Sequence, residues 1–134
     1  MFQTLENLVD RWSPYLVVPA RVLLTILFLH EATSLLFAFS PAATAMSKQG
    51  VPVPVFAGVI ALQLVAGLMI LLGWHGRLGA LALGGFCIMT AFGFHSNFAN
   101  QNELLHFEKD LAIAGGMFVL VILGTGRLSF DRIV

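Results

Sequence analysis

Apolar positions along the chain fall into four long blocks, from about Pro19 to Phe39, Pro54 to Leu72, Leu78 to Phe94 and Phe107 to Leu123. At ~1.5 Å of rise per residue, a hydrocarbon layer takes roughly 20 residues to cross, so the pattern predicts four spanning helices. Polar or turn-forming stretches separate them: Ser40 to Pro52 with its Gly50-Val51-Pro52, then Gly73-Trp74-His75-Gly76-Arg77, then Ser96 to Glu103. The middle link is so short that the second and third spans must be antiparallel neighbours. Ahead of the first block, Phe2, Leu5, Leu8, Val9 and Trp12 recur at helical spacing, with Gln3, Glu6, Asn7, Asp10 and Arg11 between them. This predicts a short amphipathic helix in the membrane interface, with Trp12 and Tyr15 at headgroup depth. The expected fold is all-α: a single domain over residues 1–134, an integral membrane four-helix bundle with a short amphipathic N-terminal interfacial helix. A positive n-region and a small-residue cleavage site are missing, so the first span is expected to remain as an anchor.

Composition supports a bilayer as the solvent. Of 134 residues, 58% are hydrophobic and 10% charged, against about 25% charged in an average soluble domain. Seven Lys+Arg balance seven Asp+Glu, which leaves no basic patch for nucleic acid. The lone cysteine, Cys87, rules out a disulfide scaffold, a CxxC dithiol site and an iron–sulfur cluster. With no P-loop, dinucleotide fingerprint or nucleophile elbow either, any redox chemistry must come from a bound cofactor or a partner chain. Arg11, Arg21, Arg77, Arg127 and Arg132 fall on the side shared by the two ends of the chain and the middle link, and only Lys48 and Lys109 fall opposite. The excess of basic residues predicts that both termini are cytoplasmic.

Small residues at Ala57/Ala61, Ala80/Gly84 and Ala112/Gly116 repeat at the four-residue spacing that lets helix backbones approach closely in lipid. The polar residues inside the apolar blocks carry more information, because an ionisable group at mid-membrane costs roughly 2.5–3.5 kcal/mol on insertion scales and needs a partner. His30 and Glu31 lie near the middle of the first span, Ser34 one turn further, and Gln63 at nearly the same depth in the second. Such a cluster either fixes the bundle through interhelical hydrogen bonds or presents a carboxyl that carries a proton or holds a polar head group. A second group gathers at the opposite mouth: His95, then Glu103, His106, Lys109 and Asp110 on a helix entering the fourth span. Here the plain role is a solvated cap in which Lys109 offsets Glu108 or Asp110. Glu103 and His106 form only one copy of the Glu-x-x-His pair that di-metal bundles need twice, so no metal is expected. His30 lies well below His95 and His106, so no haem is expected. Arg21, near the cytoplasmic end of the first span, is expected to snorkel or bond lipid phosphate.

Several short motifs recur in a telling order: Ala20-Arg21-Val22-Leu23-Leu24, Gly50-Val51-Pro52, Leu71-Leu72-Gly73, Gly76-Arg77, Phe94-His95-Ser96-Asn97-Phe98, His106-Phe107-x-Lys109 before Gly115-Gly116, and Gly124-x-Gly126-Arg127-Leu128-Ser129-Phe130-Asp131. In this order, from Ala20 to Asp131, the chain resembles the DoxX family of small four-helix bacterial inner-membrane proteins, and within it the YqjF-like branch. Members of that family include subunits of an archaeal quinol oxidase and thiosulfate:quinone oxidoreductase, and membrane partners of thiol- and superoxide-handling enzymes. The resemblance implies an inner-membrane, multi-pass, quinone-linked role, with His95, His106 and Lys109 at motif positions. The chain departs from the family's pattern at Glu31-Ala32-Thr33-Ser34, where a Gly and a Lys are usual, at Gln63 in place of a Glu, and at Asp110 in place of an Asn. Glu31 restores one carboxyl where a Lys/Glu pair is lost.

The function expected on these grounds is a quinone-associated subunit of an oxidoreductase or respiratory-type complex, not catalytic alone, binding ubiquinone or menaquinone. Its candidate quinone or proton site comprises His30, Glu31, Ser34, Gln63, His95, His106 and Lys109. The alternatives are a non-catalytic membrane subunit that assembles or stabilises a larger complex, and a small-solute or proton carrier. Expected partners are the lipid bilayer and either other subunits or further copies of the chain.

Overall fold

A computed structural model describes the backbone of residues 1–133 and the side chains through Asp131. Among the described residues six helices follow in order: α1 (Phe2–Phe37), α2 (Phe39–Lys48), α3 (Val53–Leu72), α4 (Gly76–Phe94), α5 (Gln101–Leu123) and the short α6 (Phe130–Ile133). There is no strand among the described residues. α4 packs mainly on α5 and α3, α3 mainly on α1, and a slimmer α1–α5 contact closes the ring. Phe28, Ala66, Ile70, Ala80, Leu83, Cys87, Ala114, Met117 and Leu120 form the main core. A second cluster of Ala32, Ala43, Phe56 and Ile60 sits under α2.

Among the described residues three helices are long and apolar enough to cross a membrane: α1, α3 and α4. α5 is 23 residues long, but every stretch of 18 residues within it contains Glu108, Lys109 and Asp110. Its uncharged part, Leu111–Leu123, rises only about 20 Å.

The N-terminal segment departs from expectation. Instead of a separate interfacial helix, it continues into the first span as one helix of 36 residues containing Pro14 and Pro19, about 54 Å long. Proline removes an N–H from the ladder. At Pro14 the stranded acceptor is the Asp10 carbonyl, and the Ser13 hydroxyl donates to it at 2.9 Å. The Ser40–Pro52 link is also more ordered than its composition implies. α2 occupies most of it, with Pro41 in its first turn, where the missing N–H is harmless. The Phe39 ring packs on Phe56 of α3 at 5.6 Å.

Close helix approach uses half of the small residues the spacing suggested, Ala80, Gly84 and Gly116, and adds Gly79. Ala80 and Gly84 are buried, and a Cβ on Gly84 would lie 2.9 Å from the Phe118 ring of α5. Ala57, Ala61 and Ala112 are exposed. The tight α3–α4 crossing is at Gly79, whose Cβ would lie 2.8 Å from the Ala66 carbonyl oxygen. Gly116 faces Leu24 of α1.

Candidate functional site

Midway along the bundle, Gln63 is 1% exposed, and its Nε2 donates to Glu31 Oε2 at 3.2 Å, tying α3 to α1. The Gln63 Oε1 atom is buried without a hydrogen-bond partner among the described residues. His30 and Ser34 do not join this pair. Both are exposed on α1, and the nearby Thr33 hydroxyl is spent on the Leu29 and His30 carbonyls. The expected four-residue cluster is thus an acid–amide pair.

Toward the end of the bundle where α4 leads into α5, Thr90 Oγ1 lies 3.1 Å from Asp110 Oδ2 and 3.1 Å from the Cys87 carbonyl, so its one hydroxyl proton is shared between them. About one turn further out, His95 and His106 stack with ring centroids 5.2 Å apart and planes 28° from parallel. Both are half-buried. Beside them Phe107 meets Phe92 and Phe98 edge-on at 5.2 and 4.9 Å. Lys109 is exposed. Asp110 bonds Thr90 rather than the lysine, and no salt bridge forms in this cap among the described residues. No group of three or more metal-ligating side chains occurs among the described residues.

The opposite end is built around Arg21. This residue is 4% exposed, and its Nη1 and Nη2 donate to the Thr125 and Leu128 carbonyls at 3.0 and 2.8 Å. It therefore neither snorkels nor meets lipid phosphate: the C-terminal loop folds back and takes both donors. Asp131 completes the closure, accepting from the His75 and Gly76 backbone N–H groups at 2.7 and 3.2 Å, while its own N–H donates to the Gly73 carbonyl at 2.9 Å. A carboxylate at the start of α4 is favoured by the helix dipole as well. Gly73, in the left-handed region at φ 71°, has no room for a Cβ, because Ser129 and the Arg21 Nη1 lie against it. Arg21 and Glu31 are ten residues apart on α1, and Gln63 and Gly73 ten apart on α3. The two polar levels are therefore about 15 Å apart on both helices.

Two open cavities lie away from the histidine pair. One of about 380 Å³ lies at the Arg21 end, bounded by the α3–α4 turn and the C-terminal loop. The other, about 450 Å³, is an apolar groove on α3 and α4 lined by Gly58, Ala61, Val65, Met69, Leu78 and Ala82 among others.

The family model described as DoxX matches residues 16–96, more than half of the chain. The chain belongs to the DoxX family. The match takes in α1 from Leu16, α2, α3 and α4, and so covers Arg21, Glu31, Gln63 and His95 but stops before His106 and Asp110. Among curated proteins, the chain is 40% identical to inner membrane protein YqjF of Escherichia coli (strain K12) over 118 residues, 88% of this chain and 91% of that protein. It is 29% identical to inner membrane protein YphA of the same organism over 126 residues, 89% of this chain and 90% of that protein. No solved structure matches.

Two features of this DoxX chain lie beyond local sequence reasoning. The acceptors of Arg21 are 104 and 107 residues away, and no spacing rule reaches that far. The Thr90–Asp110 bond had a signal that depth counting could have used: a hydroxyl in the third span, roughly level with the carboxylate that enters the fourth.

Proposed function

We propose that this chain is a four-span, multi-pass protein of the bacterial inner membrane, with both termini in the cytoplasm, acting as the quinone-associated subunit of an oxidoreductase complex. The membrane setting draws on the apolar helices and on the names of the two relatives. In this reading the fourth span is α5, with Glu108, Lys109 and Asp110 at its entry in the interface. The orientation rests on the segregation of arginines: Arg21, Arg77 and Arg127 share the closed end, and Lys48 and Lys109 lie toward the other.

The observation that carries the quinone reading is the His95–His106 pair in its setting of Phe92, Phe98 and Phe107. A bound quinone supplies reversible two-electron, two-proton chemistry. Its ring has apolar faces that suit phenylalanine edges and carbonyl oxygens that accept from imidazole N–H groups. His95 and His106 would hold such a head group and relay its protons, with Asp110 and Thr90 as the next polar groups inward. Purification in mild detergent followed by lipid extraction and mass spectrometry tests this. Quinone should accompany the wild-type chain and its partner subunits, and should be lost in His95→Ala while the complex stays assembled. Quinone retained by both His95→Ala and His106→Ala would sink the reading.

A second reading, a non-catalytic assembly subunit, is favoured by the bonding of the charged groups between helices. Arg21, Asp110 and Glu31 are each committed to another part of the same chain. On that reading the partner chains co-purify without quinone.

A further inference from the structure

The cavity at the Arg21 end has walls of a particular chemistry. His75, Arg77 and Leu78 line it from the start of α4, and Gly124, Arg127 and Ser129 from the C-terminal loop. Its volume of about 380 Å³ falls in the range of small-molecule sites, ~300–1,000 Å³. The one carboxylate in the wall, Asp131, is already occupied, since its two oxygens accept from the His75 and Gly76 N–H groups. The guanidinium of Arg77 lies over Gly124, where an added Cβ would come within 3.1 Å of Nε and 3.2 Å of Nη2. Gly124 holds φ at 80°, so the loop turns without a side chain that would push the arginine away. Neither Arg77 nor Arg127 donates a side-chain hydrogen bond to another described residue; the guanidinium bonds at this end all belong to Arg21. Arg21 itself is bonded to the same loop at the Thr125 and Leu128 carbonyls, adding a third positive charge outside the cavity's lining.

We propose that this cavity seats a phosphate-bearing anion, with the headgroup of an anionic phospholipid as its source. Two guanidinium groups can each fork onto the oxygens of a phosphate, which a neutral or cationic ligand cannot exploit. The place in the fold selects the source. The cavity opens where α3 and α5 end and α4 begins, the level at which lipid phosphates stand beside a spanning bundle, and basic pockets between helix ends are suited to such headgroups. The bound phosphate bridges the α4 start to the C-terminal loop, so it also strengthens the closure made by Arg21 and Asp131.

The test uses the full chain in detergent, probed with dioleoylphosphatidylglycerol, dioleoylphosphatidylcholine and inorganic phosphate, with native mass spectrometry for bound lipid and a thermal midpoint for stability. Wild type should retain phosphatidylglycerol in preference to phosphatidylcholine and melt higher with it. The double variant Arg77→Gln/Arg127→Gln should bind phosphatidylglycerol about tenfold more weakly or worse, whereas Arg11→Gln, a basic residue on the projecting part of α1, should bind as wild type does. Should the double variant fail to fold, Arg127→Gln alone, a change at an exposed loop position, carries the same expectation at smaller size. Millimolar inorganic phosphate that displaces the lipid and itself raises the midpoint would keep the phosphate seat but assign it to free phosphate; lipid that stays bound through phosphate assigns it to the headgroup. Equal retention of phosphatidylglycerol by wild type and the arginine variants, or equal binding of phosphatidylcholine, overturns the proposal.

Discussion

The two ends of this bundle handle their polar groups in opposite ways. At the arginine end, a buried guanidinium, a capping carboxylate and a glycine with no room for a side chain lock three chain segments together, and the bonds run between residues more than fifty positions apart. At the histidine end, the loop between α4 and α5 is short, the two imidazoles stack on each other rather than bonding to the frame, and the flanking phenylalanines are half-buried or exposed. At the first end Arg21 and Asp131 are committed to holding the fold. At the second the imidazoles make no bond to the frame, so their donors stay available to a ligand. Removing the frame should therefore damage stability, and removing the imidazoles should not.

The largest expected effect is at Arg21. Arg21→Met removes two charge-assisted hydrogen bonds and strands the Thr125 and Leu128 carbonyls, for a loss of about 3 kcal/mol or more. Unfolding of the detergent-solubilised chain by sodium dodecyl sulfate measures it, and a loss under about 1 kcal/mol would make the two ends equivalent. Gly73→Ala should follow closely, since the new Cβ meets Ser129 and the backbone is held at positive φ; overpacking of this kind costs about 1–3 kcal/mol. Gly85→Ala is the contrast, with nothing within 4 Å of its Cβ and a helix interior in which alanine is favoured by up to about 1 kcal/mol.

Between the ends, the Glu31–Gln63 pair should have an intermediate effect. Gln63→Leu leaves Glu31 without its partner, yet side-chain hydrogen bonds in membrane proteins average only about 0.6 kcal/mol and reach about 1.7 at most. The expected loss is about 1 kcal/mol, and Glu31→Gln, which can still accept from Gln63, should change stability by less than half of that. If Glu31→Gln proved as damaging as Arg21→Met, the carboxyl would rank with the frame rather than with the separable polar groups.

How much of this was legible beforehand follows from the range of each interaction. The apolar blocks announce α3 and α4 because twenty or so consecutive apolar residues have few other uses. Glu31 and Gln63 could be paired by counting residues from the span ends, since helical rise turns sequence number into depth. His95 and His106 flank one short loop, and adjacency follows from that. The continuous α1 was hidden by Pro14 and Pro19, whose effect depends on whether a neighbour such as Ser13 satisfies the freed carbonyl. α2 was hidden by its serines, threonine and proline, which read as a loop until Phe39 finds Phe56. Arg21 was misjudged because its position suggests lipid phosphate, and only the return of the C-terminal loop supplies two carbonyls in its place.

The smallest expected effect on stability is at the histidines, and it sharpens the contrast most. Neither imidazole donates or accepts a bond to the frame among the described residues; each rests on the other and is only half-buried. His95→Ala and His106→Ala should each shift unfolding by no more than about 0.5 kcal/mol, as expected for side chains outside the core and outside any bonded network. Because the two rings are in contact, the double variant should depart from the sum of the singles by the stacking energy, about 0.5 kcal/mol or more. A stability loss of about 2 kcal/mol or more, the range of core cavities, would mean that the stacked pair is a structural element like Arg21. A negligible loss accompanied by loss of bound quinone would instead separate the two ends in both senses, one holding the helices together and the other free to meet a ligand.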